Sequence, residues 1–214
     1  MKLTLSAAVV LTSAALAFGQ APAGGPPGGG RGAGQPPRPV LSVSSPAWPD
    51  GGEVPMHHAF RGDNKSPAFE FHWTLSGNPS MAPDALKTYA VIFHDMENST
   101  NKTAVDTLHW SAFNIPASAT GLSEGLAAGT LPDGTVNGPG IAMGRGGNNQ
   151  GSYFGPGAGP GPFHHYVFEF YALDTKIDLP ANTTRDEIVK AMDGHIIGKA
   201  VYVGRFHGPA APGR

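Results

Sequence analysis

Apolar and polar positions alternate with period two along much of the chain, the spacing of extended strands rather than helices. In KTYAVIFHD, Tyr89, Val91, Phe93 and Asp95 fall on one face, with Ala90, Ile92 and His94 on the other. TLHWSAFNIP sets Thr107, His109, Ser111, Phe113 and Ile115 against Leu108, Trp110, Ala112 and Asn114. HHYVFEFYALD groups His164, Tyr166, Phe168 and Phe170, and GKAVYVGRF adds a late strand. Several of these segments are apolar on both faces, which a single sheet bordering water would not be. The pattern therefore predicts a mainly β fold, two packed antiparallel sheets with few short helices.

One helix is signalled. Thr184 with Glu187 is a capping box leading into Ile188, Val189 and Met192, and Gly194 ends the run. Two long irregular stretches, SGNPSMAPDAL and LPDGTVNGPGIAMGRGGNNQGSYFGPGAGPGP, join the strands. Loops of that length in a compact domain hold a site or wrap the surface.

The alternation is absent at the N-terminus. MKLTLSAAVVLTSAALAFGQ has a lysine, an apolar stretch and a small-residue pattern ending at Gly19, so residues 1–19 read as a secretory signal peptide. The apolar run from Leu3 to Phe18 is shorter than the roughly 20 residues a membrane span needs, so no transmembrane anchor is expected in the mature protein. Residues 20–39 are a Pro/Gly-rich flexible linker with almost no side chain to bury. The folded domain is expected over 40–207, with 208–214 as a C-terminal tail.

A formal charge of -2 leaves no basic field to hold nucleic acid. The absence of cysteine removes disulfides, thiolate zinc sites and cysteine nucleophiles together. Asn98, Asn101 and Asn182 stand in glycosylation sequons, meaningful only in a eukaryotic secretory pathway.

The polar groups in the strands are the candidate chemistry. Asp95 ends an apolar strand face, where a carboxylate needs partners or a shifted pKa, unless the strand has reached solvent and Asp95 caps a turn. Glu97 shares its parity, so the two acids would suit acid–base work or a solvated turn. His109 lies within a strand, and both a satisfied core imidazole and a functional one fit there. His164 and Tyr166 share one strand face directly after a Gly/Pro loop. That places an imidazole and a phenol beside exposed backbone N–H groups, a donor-rich recess for an oxyanion. The adjacent pairs His57-His58 and His164-His165 would point to opposite strand faces, so each offers at most one ligand and no metal site is expected.

Taken in order, these segments resemble the phosphatidylethanolamine-binding protein (PEBP) family, in particular its bacterial Raf-kinase-inhibitor-like branch. GDNKSPAFEFHW resembles the Gly-x-Asn-x-Ser-Pro signature through Gly62, Asn64, Ser66 and Pro67. FHDMEN stands in place of the Asp-Pro-Asp-x-Pro motif, HW at 109 and 110 matches the strand with the pocket histidine, and GPGAGPGPFHHYVFEFYALD resembles the Gly-Pro loop and following strand. The chain departs from the family at Met96, Glu97 and Ser99, which loosens a proline-stiffened turn, and at His165, which replaces an arginine.

The resemblance implies a small pocket for an anionic or phosphoryl head group, formed by Asp95, His109, Gly155, Pro156, His164 and Tyr166, with no cofactor. It implies a phospholipid-binding protein, exported to the periplasm or exterior, and not an enzyme. A regulator of a protein partner, such as a protease or signalling enzyme, is the alternative. A hydrolase using Asp95 and His109 lacks an organised nucleophile. A homodimer is compatible with any of these.

Overall fold

The structure, a computed structural model, describes residues 36–98, 102, 104–140, 142–143, 147–148 and 153–210. The signal-peptide span, the linker as far as residue 35, and tail residues 211–214 lie outside the described residues, as do Ser99 and Asn101. Among the described residues no helix is long and apolar enough to cross a membrane.

Six longer strands build two sheets: β1 (Val40–Ser44), β2 (Phe69–Leu75), β3 (Thr88–Asp95), β4 (Thr107–Pro116), β5 (His164–Leu173) and β6 (Ile196–Phe206). The larger sheet runs Gly52–Glu53, β6, β5, β3, β4, Val136–Asn137, Gly129–Thr130. The smaller joins β1 to β2, with Asn78–Pro79 and Gly121–Leu122 also paired to β2. The expected mainly β architecture of two sheets is present. All these pairings are antiparallel except Gly52–Glu53, which runs parallel to β6.

Every residue of β3 is buried, because the larger sheet is covered on both faces. On one side Tyr89, Val91, Phe93, Phe168, Phe170 and Tyr202 meet Leu41, Phe69, Phe71 and Trp73 of the smaller sheet. Phe93 and Phe168 stack there at 3.9 Å between ring centroids, a contact contributing about 0.5–1.5 kcal/mol beyond its area. On the other side Ala90, Ile92, Tyr171 and Leu173 meet Ile188 and Met192 of the one α-helix among the described residues, α1 (Arg185–Met192). The second apolar face thus has a helical cover. The expected capping box holds α1 at its start: Glu187 N donates to Thr184 Oγ1 at 3.2 Å, and Thr184 N to Glu187 Oε2 at 2.8 Å.

β4 departs from the alternation its sequence suggests. Its pairing with β3 steps from Phe93↔Trp110 to His94↔Leu108, leaving His109 as an extra residue, and from Val91↔Ala112 to Tyr89↔Ile115. At the second step Asn114 takes φ 56°, a conformation asparagine tolerates, and its amide is tied to the backbone of Ile177 by two 2.8 Å bonds. The first bulge turns His109 onto the side of Phe93 and Tyr166, whose ring centroids lie 5.4 and 5.2 Å away. Trp110 belongs to the same core as Phe93 and Tyr166, so the expected opposition of His109 and Trp110 does not hold.

His57 and His58 also differ from expectation. They sit in a one-turn 3-10 helix, Met56–His58, instead of a strand, and their rings approach to 4.9 Å.

Candidate functional site

The register Tyr166↔Asp95 brings the start of β5 beside the end of β3, and the β4 bulge adds His109. Asp95, His109, His164 and Tyr166 consequently line one recess of about 370 Å³, together with Phe60, Arg61, Asn98, Phe154, Gly157 and Ala158. That volume lies within the roughly 300–1,000 Å³ of small-molecule sites.

Asp95 is 2% exposed, yet its carboxylate is well supplied with donors. His164 Nδ1 lies 3.0 and 2.9 Å from its two oxygens, and Glu97 N donates to Oδ1 at 3.0 Å. The Tyr166 hydroxyl lies in the field of that carboxylate. That hydroxyl accepts from Gly157 N at 3.2 Å and Ala158 N at 3.1 Å. A hydroxyl has one proton and two lone pairs, so both acceptor positions of Tyr166 are filled by its own loop. Burial and the Asp95 charge push its pKa far above the usual tyrosine value, which keeps it a neutral donor.

His109 Nδ1 donates to the Phe154 carbonyl at 2.8 Å, which leaves Nε2 as the ring's acceptor. Burial lowers the pKa of this imidazole, with the Phe154 carbonyl and Asp95 opposing, so the neutral form is favoured.

Gly155 and Pro156 stand behind the wall. Gly155 N donates to Asn64 Oδ1 at 2.8 Å, and a Cβ on Gly155 would lie 2.0 Å from the His58 carbonyl oxygen, so only glycine packs there. The Pro156 carbonyl accepts from Phe60 N. Gly157 and Ala158 form the lining instead. The loop amides of residues 155, 157 and 158 are all engaged within the protein, so the expected row of exposed N–H donors is not what the recess presents.

What the recess presents is a buried carboxylate and an imidazole acceptor at its base, with the exposed Arg61 at its mouth. Phe60 stacks on Phe154 at 4.2 Å beside that mouth. Glu97 is drawn away, because His165 donates to it from its backbone N and from Nδ1, each at 2.7 Å. Asp95, Glu97 and His164 can nevertheless offer ligand atoms within 4.8 Å of one another, the spacing of a cation site.

Phe60, Arg61 and Asn98 were not legible as site residues, because they come from loops without periodicity. Phe154 was signalled only by standing directly before the Gly155-Pro156 pair.

These features define a β-sheet protein with a small polar pocket at the strand ends. A sequence profile described as PBP, phosphatidylethanolamine-binding protein, matches residues 44–207. A UPF0098 protein of Methanothermobacter thermautotrophicus is 33% identical over 78% of this chain and 98% of its own length. LppC, a lipoprotein candidate of Mycobacterium tuberculosis, is 30% identical over 78% of this chain and 73% of its own. Among solved structures, the PEBP homologue CT736 of Chlamydia trachomatis superposes with a TM-score of 0.64 at 24% identity, covering 79% of this chain and 99% of that one, and shares its fold. The chain belongs to the phosphatidylethanolamine-binding protein family.

Proposed function

We propose that this chain is an exported binding protein whose recess takes a phosphoryl head group that brings its own hydrogen-bond donors, with phosphoethanolamine the best-matched probe. The observation that carries the reading is the charge layout: Asp95 and His109 Nε2 accept at the base, and Arg61 supplies positive charge at the mouth. A fully deprotonated oxyanion would meet the Asp95 carboxylate with nothing to share. A head group with an ammonium or a P–OH can give its proton to these acceptors while its charged oxygens face Arg61. The exposed Phe60 beside the mouth suits the apolar remainder of a phospholipid.

Export is supported by the signal-peptide reading of residues 1–19 and by the relation to a lipoprotein candidate. Binding without turnover is supported by the lining, whose one hydroxyl among the described residues belongs to Tyr166 and is kept neutral by burial and the Asp95 charge.

The test is calorimetric titration with phosphoethanolamine, phosphocholine and inorganic phosphate. Phosphocholine keeps the charges but has no N–H donors. Phosphoethanolamine is expected to bind about tenfold or more tightly than phosphocholine, since a bond to a charged group contributes about 1.5–3 kcal/mol. Arg61→Ala and His109→Ala are expected to weaken it. Equal affinity for the two head groups, or binding indifferent to both substitutions, would overturn the reading. No binding of any of the three would leave the family's partner-regulating role as the one to pursue.

A further inference from the structure

We propose that His57 and His58, on the loop preceding β2, and Glu124, just after the Gly121–Leu122 strand, form a divalent transition-metal site fitted to Zn²⁺. The three side chains can offer ligand atoms that lie within 4.8 Å of one another. Two imidazoles and one carboxylate are a donor set that zinc accepts in tetrahedral sites, with one position left for water, whereas Mg²⁺ and Ca²⁺ favour all-oxygen shells.

The independent support is the way both rings are held. His57 Nδ1 donates to Asp63 Oδ2 at 2.6 Å, and His58 Nδ1 donates to the Lys65 carbonyl at 2.9 Å. Metal-binding histidines characteristically donate their second N–H to a carboxylate or a backbone carbonyl, which fixes the tautomer and leaves the other nitrogen to ligate. Here each ring has one of these two partners; His58 keeps Nε2, and at His57 the ion would take the place of the proton that Nε2 gives to Glu124. His57 Nε2 already lies 2.9 Å from Glu124 Oε1. His58 is 3% exposed, so one ligand is set by packing before any ion arrives.

The 3-10 turn is what makes this arrangement available. On a strand these neighbours would diverge, but the turn brings their rings edge to face at 4.9 Å. It is held tightly: a Cβ on Gly62 would lie 1.7 Å from the Met56 carbonyl oxygen, and the Tyr153 hydroxyl donates to the His58 carbonyl at 3.0 Å. The same segment carries Phe60 and Arg61, and Phe60 N donates to the Pro156 carbonyl at 2.9 Å. An ion here would clamp the loop that forms one side of the recess mouth.

The test uses the full chain, prepared without a histidine tag and stripped with a chelator. Zn²⁺ and Mg²⁺ are titrated by calorimetry, and Co²⁺ is followed by its visible d–d absorption. One Zn²⁺ per chain is expected, with no response to Mg²⁺ and a low-symmetry Co²⁺ spectrum. His57→Ala and Glu124→Gln, both at the surface, should fold as the parent does and each lose about tenfold or more in Zn²⁺ affinity, and Asp63→Asn should lose about 10–100-fold through its hold on the ring. Absence of Zn²⁺ binding, or binding that survives His57→Ala and Glu124→Gln, overturns the proposal. Loss of binding in Asp95→Asn in their place would move the ion to the recess and overturn it equally. Head groups are absent from this experiment, so its outcome is independent of the ligand reading.

Discussion

Tyr166→Phe removes a single oxygen that accepts two bonds beside the Asp95 carboxylate, and it tests whether the recess is organised as described. The ring is completely buried, so phenylalanine fills the same space and the change is close to a pure loss of the hydroxyl. The amides of Gly157 and Ala158 lose an acceptor, each bond contributing about 1 kcal/mol, although half-burial lets water replace part of that. The total is about 1–2 kcal/mol, and at about 2–4 °C per kcal/mol for a domain of this size the melting temperature should fall by about 2–8 °C. Scanning calorimetry of the two proteins reads this directly. A cycle with Asp95→Asn should show coupling between the two positions, since the hydroxyl lies in the field of the carboxylate. A melting temperature lowered by less than about 2 °C, or strictly additive effects, would refute the view that Tyr166 anchors the loop beside the carboxylate.

Three further predictions rest on separate contacts. His109 has its pKa lowered by burial, so the unfolded chain takes up this proton first, and this residue's contribution to stability should decline as pH falls below 6.5. His109→Gln should flatten that part of a urea-midpoint profile, and an unchanged slope would refute the assignment. Glu169, held well below the usual carboxylate range by His94 first and then by Lys199 and Tyr171, should stabilise the fold above pH 4.5 and cease to as pH falls beneath it. Glu169→Gln should accordingly be less stable than the parent at neutral pH and converge with it in acid; parallel profiles would count against this. Gly155→Ala forces a methyl to within 2.0 Å of the His58 oxygen and should cost about 1–3 kcal/mol or more, read as a lowered urea midpoint, and an unchanged midpoint would mean the loop yields freely.

The strands that were legible in the sequence are those whose period is unbroken. β3 and β5 alternate throughout, and their pairing places Asp95 beside Tyr166. β4 was legible as a strand, but its parity was not, because two bulges shift its faces and the residue that matters, His109, is one of the inserted ones. The two-residue strands at Gly52–Glu53, Gly121–Leu122, Gly129–Thr130 and Val136–Asn137 are too short to show any period. Of the recess residues, Asp95, His109, His164 and Tyr166 were legible through their order along the chain, whereas Phe60, Arg61 and Asn98 were not. Their chemistry was not, because whether an amide or hydroxyl is free depends on its partner. The Gly157 and Ala158 amides and the Tyr166 hydroxyl satisfy one another, a fact that residue types alone do not contain.

The end of β3 is held from both faces of the sheet, and this separates the fold's stability from its recognition. Asp95 turns to the recess and meets His164 and Tyr166. His94, its neighbour, turns to the helix side, where its ring nitrogens lie 2.6 Å from Asp106 and 3.6 Å from Glu169; both contacts are ionic in distance and neither is an aligned hydrogen bond. Asp106 pairs in turn with Arg185 at the start of α1, and Glu169 with Lys199 of β6 at 2.8 Å. None of the residues in this second network is among those that line the recess. It fixes the strand from which Asp95 projects, so the carboxylate is positioned before a ligand arrives and little ordering cost remains for binding to meet. Glu169→Gln should therefore lower stability at neutral pH while leaving phosphoethanolamine affinity within about twofold, a difference of about 0.4 kcal/mol. An affinity that falls in step with stability would mean that the two faces are coupled through β3, and that the strand end is held less firmly than these contacts imply.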